Sequence, residues 1–291
     1  MVATTSTRPT GSLTDSNVQP IRYRRTVRLV TFNLWSGRSV LHKQASGEQR
    51  RRKGVDLGLL RAAIAELDPD VLALQEVDRH QSRSHLADLA EVAAEAMGAR
   101  EHRFVPTLSG IPGALWSLSG PAHLPISEYG IALLSRYPVR RWEDVPLRSL
   151  RPSFKVRLPV VRQHLTVGEE PRAAVVAHLD TPAGPLAVAN THLTWIPGSG
   201  IRQLQQVTKA LGELSDPVLL VGDFNMWGPL PRMITGYRPL AEHPTYPAAK
   251  PSRQLDHILL RGRGPAVVDA RAVRLAVSDH LALVVDLASA G

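Results

Sequence analysis

The sequence predicts an α/β protein. Short runs rich in Val, Ile and Leu recur with amphipathic segments between them, and two stretches in opposite halves of the chain repeat one helix-to-strand pattern. With 43% hydrophobic and 21% charged residues among 291, the chain has enough apolar surface for a sizeable core.

The elements follow in order. Residues 26–34 (TVRLVTFNL) read as a strand, apolar and β-branched. A helix is expected over 54–67, where Val55, Leu59, Leu60, Ala63, Ile64 and Leu67 form a stripe at spacings of three and four. Further strands are expected at 71–76, 130–135, 173–179, 185–193, 217–223, 256–260 and 281–287, and further helices at 84–97 and 200–214. Asp180-Thr-Pro-Ala-Gly184 closes a hairpin between 173 and 193, its Pro and Gly supplying the fixed and permissive dihedrals of a tight reversal. Residues 104–127 and 146–172 are rich in Pro, Gly and Ser and read as long loops. The Thr/Ser/Pro/Gly-rich start reads as a disordered basic leader over 1–25, followed by a single domain over 26–288.

Composition narrows the chemistry. There is no cysteine, which excludes disulfides, thiolate metal sites and cysteine nucleophiles together. The net charge of +9 sits at the start: residues 1–53 hold eleven Lys/Arg against Asp15 and Glu48, so the remainder is formally neutral. The Arg50-Arg-Arg-Lys53 run reads as solvated surface or as a patch that draws in anions. No stretch reaches the ~18 to 20 apolar residues that span a bilayer, and no apolar secretory core is seen near the start, so a cytoplasmic protein is expected.

The repeated pattern pairs Leu67-Asp-Pro-Asp-Val-Leu-Ala-Leu-Gln-Glu76 with Leu214-Ser-Asp-Pro-Val-Leu-Leu-Val-Gly-Asp223, each ending an apolar run on a carboxylate. Upstream, Leu29–Leu34 matches Val188–Leu193 and sets Asn33 against His192. Two such halves would bring four polar strand ends to one rim. Asp256 with His257, and Asp279 with His280, flank further apolar runs. A carboxylate at the end of a buried strand is costly to desolvate without a cation or donor. Singly, each of these residues has an ordinary structural explanation as a turn, a cap or a core histidine; together, Glu76, Asp223, Asp256 and Asp279 would repel unless a divalent cation lay among them. Oxygen ligands with imidazole nearby and no sulfur suit Mg²⁺ or Mn²⁺, and magnesium points to phosphoryl chemistry.

Seven motifs carry a resemblance: Thr31-Phe-Asn-Leu-Trp35, Leu74-Gln-Glu-Val-Asp78, Gly130-Ile-Ala-Leu-Leu-Ser-Arg-Tyr-Pro138, Asn190-Thr-His-Leu193, Val221-Gly-Asp-Phe-Asn225, Leu255-Asp-His257 and Ser278-Asp-His280. In this order and spacing the chain resembles the endonuclease/exonuclease/phosphatase superfamily of metal-dependent phosphodiesterases, from about residue 27 to 287. The resemblance implies a four-layer α/β sandwich, two mixed β-sheets face to face with flanking helices, and a site at one rim.

It further implies that Glu76, Asn33 and Asp279 hold Mg²⁺ or Mn²⁺, and that His192 and Asn225 grip the phosphate. Asp223 orients or deprotonates the attacking water, and His280 paired with Asp256 acts as base or cationic clamp. His280 is the preferred base and Asp223 the water-positioning group. Tyr129 precedes Gly130 where many relatives place a phosphate-contacting side chain, so it is either a substrate contact or a rim aromatic. His257 is expected on the opposite face of its strand, in a structural role. Trp195 and Trp227 follow motifs directly and either stack on substrate or pack as lids on Pro197 and Pro229. The expected function is metal-dependent hydrolysis of a phosphodiester by activated water. The alternatives are a nuclease of the same mechanism and, least favoured, a noncatalytic binding protein on the same fold. Cations at Arg148, Arg151, Lys155, Arg157 and Arg162 leave nucleic acid open as a partner, the Trp195-Ile-Pro-Gly198 loop leaves a membrane surface open more weakly, and no protein partner is implied.

Overall fold

A computed structural model describes residues 26–40, 55–110, 116–118, 127–148, 154–158, 163–167 and 169–289. The expected leader over 1–25, the Arg50–Lys53 run, and Arg151 and Arg162 lie outside the described residues.

The elements are β1 (Thr26–Asn33), α1 (Leu57–Leu67), β2 (Val71–Arg79), α2 (Leu89–Met97), β3 (Glu101–Gly110), β4 (Trp116–Leu118), β5 (Glu128–Ser135) and β6 (Val139–Leu147). There follow β7 (Phe154–Leu158), β8 (Gln163–Val167), β9 (Arg172–Thr181), β10 (Gly184–His192), α3 (Ser199–Leu211) and β11 (Val218–Asp223). The chain then runs through α4 (Leu230–Thr235), β12 (Arg238–Pro239), β13 (Asp256–Arg261), β14 (Val267–Val273) and β15 (Ala282–Ala288).

Two mixed sheets form, ordered β14-β15-β1-β2-β5-β3-β4 and β12-β13-β11-β10-β9-β6, with β7 and β8 paired apart from them. Alternation along the strands builds the layers. Val27, Leu29, Val71 and Leu133 of the first sheet meet Val175, Val188, Val221 and Ile258 of the second in one buried cluster. The opposite faces pack on helices: Phe32, Leu72 and Leu74 on Leu60, Ile64 and Leu89, and Ala189 and Leu220 on Leu204 and Val207. This is the four-layer α/β sandwich that the resemblance implies. Among the described residues no helix is long and apolar enough to cross a membrane.

The two long loops expected from sequence are corrected in part. Strand β3 runs into the first of them and β4 lies within it, while the second contains β7 and β8, which carry Lys155 and Arg157. Edge or bulged positions explain why these segments read as loops: Pro106 sits where the pairing of β3 with β5 slips, and Pro146 stands one residue before the end of the charged edge strand β6.

One polar interlock joins the sheets beneath the rim. Gln75 Nε2 donates to Asn190 Oδ1 at 2.7 Å and to Thr31 Oγ1 at 3.0 Å, and Asn190 Nδ2 donates to the carbonyls of Leu74 and Ala132 at 2.9 and 2.8 Å.

Gly222 is constrained by close approach. Its φ is +136°, and a Cβ there would lie 1.9 Å from the Thr191 carbonyl oxygen on the neighbouring strand. Gly222→Ala should therefore destabilise the fold by roughly 3 to 5 kcal/mol, the range of severe backbone clashes. Urea unfolding measures this directly, and a midpoint like wild type would contradict the packing described.

Candidate active site

The rim lies toward the carboxyl ends of two parallel strand pairs, one in each sheet. β1 pairs with β2 and β10 with β11, so Asn33, Glu76, His192 and Asp223 emerge side by side. Antiparallel β13 and β15 start at the same rim, which brings in Asp256 from the first and Asp279 and His280 from the turn before the second. The halves match with a one-residue slip: His192 pairs with Asp223, but Asn33 pairs with Gln75. The slip has a local cause. Glu76 is left-handed at φ 54°, and the β2–β5 pairing shifts between Leu74 and Val77, a bulge that turns the carboxylate into the cleft.

The cleft holds about 920 Å³ and is lined by Glu76, His192, Asp223, Asn225, Asp279 and His280 together with Tyr129, Trp195 and Trp227. Left-handed backbone gathers on it: Trp35, Ser36, Glu76, Asn225 and Ser278 all have positive φ. Strain of this kind persists only where the surroundings over-determine it. At Ser278 the hydroxyl donates to the Asn33 carbonyl at 2.6 Å and accepts from the His280 N–H at 3.0 Å.

Asn33 stands between two carboxylates. Its Nδ2 donates to Glu76 Oε1 at 3.2 Å and Asp223 Oδ2 at 2.9 Å, while its Oδ1 accepts from the Trp35 N–H at 3.0 Å. Burial pushes Glu76 up, against the Asn33 bond and the charge of Arg172, and Asp279 pushes the same way as burial. Neither Glu76 nor Asp279 makes an ion pair among the described residues. Two cleft-facing carboxylates without a cation of their own, and no sulfur, are a donor set that fits a hard divalent ion.

Asp223, Asp256 and His280 offer ligand atoms within 4.8 Å of one another. Their hydrogen bonding argues for proton chemistry instead. His280 Nδ1 lies 2.8 Å from Asp256 Oδ2, and its Nε2 lies 3.8 Å from Asp223 Oδ2. Burial works against charge on His280, but Asp256, Asp223 and Asp279 outweigh it and raise its pKa to about 10. A metal-bound imidazole must be unprotonated, so this ring is poorly suited as a ligand. Asp223 is itself pushed up to about 7 by burial and the Asp256 charge, against His280 and its bonds from Asn33 and Asn225.

His192 lies opposite, 3.0 Å from Arg172 Nη1 through Nδ1 and 3.3 Å from Asn225 Nδ2 through Nε2. Asn225 N donates to Asp223 Oδ1 at 2.8 Å, and its Nδ2 donates to the Leu193 carbonyl at 3.0 Å.

Tyr129 is buried in the cleft floor, with Arg83 5.6 Å over its ring, and burial and Glu76 keep its phenol protonated. Trp195 and Trp227 stand at the mouth, 72% and 59% exposed, which is too open for packed lids; Arg253 lies 4.8 Å over Trp227. His257 is buried, stacked on Phe224 and bonded to the Met226 carbonyl at 2.8 Å. Its structural role is as expected from strand alternation.

Sequence reasoning missed Arg172, Arg83 and Glu169, all of which line the cleft. Arg83 is held bidentate by buried Asp78 at 2.7 and 2.6 Å, and Glu169 accepts from Ser199 and Gln203. Asp78, the buried carboxylate that ends the second motif, was the available signal for Arg83. No comparable signal pointed to the other two.

Comparison with known proteins agrees with this fold. The model of the Endonuclease/Exonuclease/phosphatase family matches residues 30–280. An endonuclease/exonuclease/phosphatase from Beutenbergia cavernae is 25% identical, with a TM-score of 0.63 over 92% of this chain and 72% of that one. The human Nocturnin catalytic domain with bound sulfate is 19% identical, with a TM-score of 0.56 over 92% of this chain and 96% of that one, a likeness of fold. So is that to the Bacteroides thetaiotaomicron mannosyl-6-phosphatase, 18% identical with a TM-score of 0.57 over 90% and 99%. A Mycobacterium leprae protein named as a pre-16S rRNA nuclease is 32% identical over 111 residues, 37% of this chain and about half (54%) of that relative. Motifs, sandwich and rim together identify the chain as a member of the endonuclease/exonuclease/phosphatase family, whose enzymes hydrolyse phosphoester bonds.

Proposed function

We propose that the protein hydrolyses a phosphodiester with an activated water and a divalent cation, Mg²⁺ or Mn²⁺. The observation that carries this reading is the meeting of Glu76, His192, Asp223, Asn225, Asp279 and His280, from both sheets, on one cleft.

Glu76 and Asp279 would hold the ion. Asn33 stands beside the ion with one lone pair of its amide oxygen still free for it, the other accepting from the Trp35 N–H, while its amide nitrogen braces Glu76 and Asp223. When bound, the cation supplies charge neutralisation at a non-bridging phosphoryl oxygen and at the leaving oxygen. The chain's own groups do the rest. His192 and Asn225 donate toward the phosphate and orient it. Asp223 lies across from them, restrained by Asn33 and the Asn225 N–H, and takes the proton from the attacking water.

His280 is assigned differently from the sequence-based preference. Pinned through Nδ1 to Asp256 and surrounded by three carboxylates, it keeps its proton at neutral pH and serves as a cationic clamp, not as the base. Asp223, at about 7, is the group poised to accept a proton near neutrality.

A nuclease reading has its own support in the exposed tryptophans at the mouth, which are suited to base stacking, and in the name of the Mycobacterium leprae relative. Purified protein with Mg²⁺ or Mn²⁺ should be tested against bis-p-nitrophenyl phosphate, plasmid DNA, an abasic-site duplex and sphingomyelin in parallel. Metal-dependent release of p-nitrophenol is expected, and its absence along with inertness toward all four substrates would overturn the proposal. Nicking of either DNA decides for the nuclease reading; intact DNA beside a cleaved small diester decides against it.

A further inference from the structure

Arg172 opens β9 and belongs to none of the seven motifs. Its side chain is only 9% exposed, yet it lines the cleft. Nη1 lies 3.0 Å from Nδ1 of His192, Glu170 is 3.4 Å from Nη2, and Nε is buried without a partner. A guanidinium placed to satisfy a buried ion pair would sit bidentate on its carboxylate, as Arg83 does on Asp78. This one makes its shortest contact to an imidazole nitrogen.

We propose that Arg172 is a positioning residue that fixes His192 as the neutral Nε2–H tautomer, so that His192 enters the reaction as a permanent hydrogen-bond donor to a phosphoryl oxygen and not as a proton-transfer group. The role in the reaction rests on the phosphodiesterase reading above; the tautomer does not.

A guanidinium carries only donors and keeps its proton at any ordinary pH. An Arg172 N–H directed at Nδ1 therefore obliges that nitrogen to present its lone pair, and the neutral ring then bears its hydrogen on Nε2. A doubly protonated ring would set N–H against N–H. Burial acts in the same direction, and the charges facing the ring, Arg172 from β9 and His280 from the turn before β15, add to it, holding His192 well below the usual histidine range.

Nε2–H then faces the cleft without an acceptor. Asp223 Oδ2, from β11, is 3.7 Å away, too far for a hydrogen bond. Asn225 Nδ2, at 3.3 Å, is committed as a donor by its bond to the Leu193 carbonyl. Two donors thus lie side by side, and among the described residues nothing accepts from Nε2. An oxygen of a phosphate ester has the charge and the lone pairs to accept from both.

Long-range ¹H–¹⁵N correlation spectra of the uniformly ¹⁵N-labelled, metal-free protein at neutral pH report the tautomer of each ring, with His192 assigned by its loss in His192→Gln. The wild type should show His192 as Nε2–H. Arg172→Met, which keeps bulk but no donor, should give a mixture of tautomers, and Arg172→Lys should restore most of the Nε2–H form. On bis-p-nitrophenyl phosphate, Arg172→Met should lower kcat at least about tenfold with a smaller change in KM, as expected when a donor acts mainly in the transition state. An Nδ1–H signal in wild type, which needs no variant to fold, overturns the inference; so does an unchanged Nε2–H tautomer in folded Arg172→Met. A wild type inert toward every ester would overturn the proposed function and leave the tautomer result standing.

Discussion

Asp223→Asn should lower turnover of bis-p-nitrophenyl phosphate by about a thousandfold, within the range for removing a general base, while leaving the protein folded and, without metal, gaining stability on wild type as pH rises. The substitution keeps the shape. An amide oxygen can still accept from Asn225 N, as Asp223 Oδ1 does at 2.8 Å, while the bond that Asp223 Oδ2 accepts from Asn33 Nδ2 is lost, a cost that does not vary with pH. What it removes is a buried negative charge beside Asp256, and such a charge is costly to keep out of water. The direction of the pH effect follows from the raised pKa of about 7. An aspartate whose folded pKa lies above its unfolded value binds the proton more tightly when folded. It therefore costs stability as pH rises from about 4 to about 7, and by a constant amount above that. The thermal midpoint of Asp223→Asn in chelator should rise relative to wild type from the acid end of that window toward pH 7. Near-wild-type kcat in the variant would remove Asp223 from proton transfer. An unchanged midpoint at every pH would mean that the carboxylate is not destabilised by its surroundings.

Glu76→Ala should reduce turnover at least about a hundredfold at millimolar Mg²⁺, the scale on which single electrostatic groups act, and should raise the metal concentration needed for half-maximal rate. Among the described residues the carboxylate forms no ion pair, and the bulge at φ 54° serves to aim it. Chelator should silence the wild type, and added Mn²⁺ should restore it; the same titration should leave Glu76→Ala far below wild type at any metal level reached. Equal metal titration curves for the two proteins would assign the ion to other ligands.

Much of the rim was legible because polar residues that end apolar strands stand out against their neighbours. Asp223 terminates a buried run and Glu76 interrupts one, and the repeated pattern around them matches Asn33 with His192. Antiparallel pairing of β13 and β15 then brings Asp256 and His280 to the same edge. The one-residue slip between the halves was not legible, because it arises from a left-handed glutamate that no propensity favours. Arg172 was hidden for another reason: an arginine after Glu169, Glu170 and Pro171 reads as solvated loop, and only the fold shows it buried against an imidazole. Strands such as β6 and β14 escaped because edge strands carry charge and proline that mask the period of two. The choice between Asp223 and His280 as base turns on how many carboxylates surround the ring, a question of three-dimensional neighbours.

Gln75 and Asn190 work as a dowel between the sheets. Aliphatic surfaces slide past one another with little change in energy, since burial has no preferred direction, whereas hydrogen bonds at 2.7 to 2.9 Å hold a single offset. Glu76 travels with one sheet and Asp223 with the other, so the spacing of the two carboxylates depends on that offset. Repacking the aliphatic filling can therefore drift freely while the reaction geometry stays put, its alignment inherited from two amides that never meet the substrate.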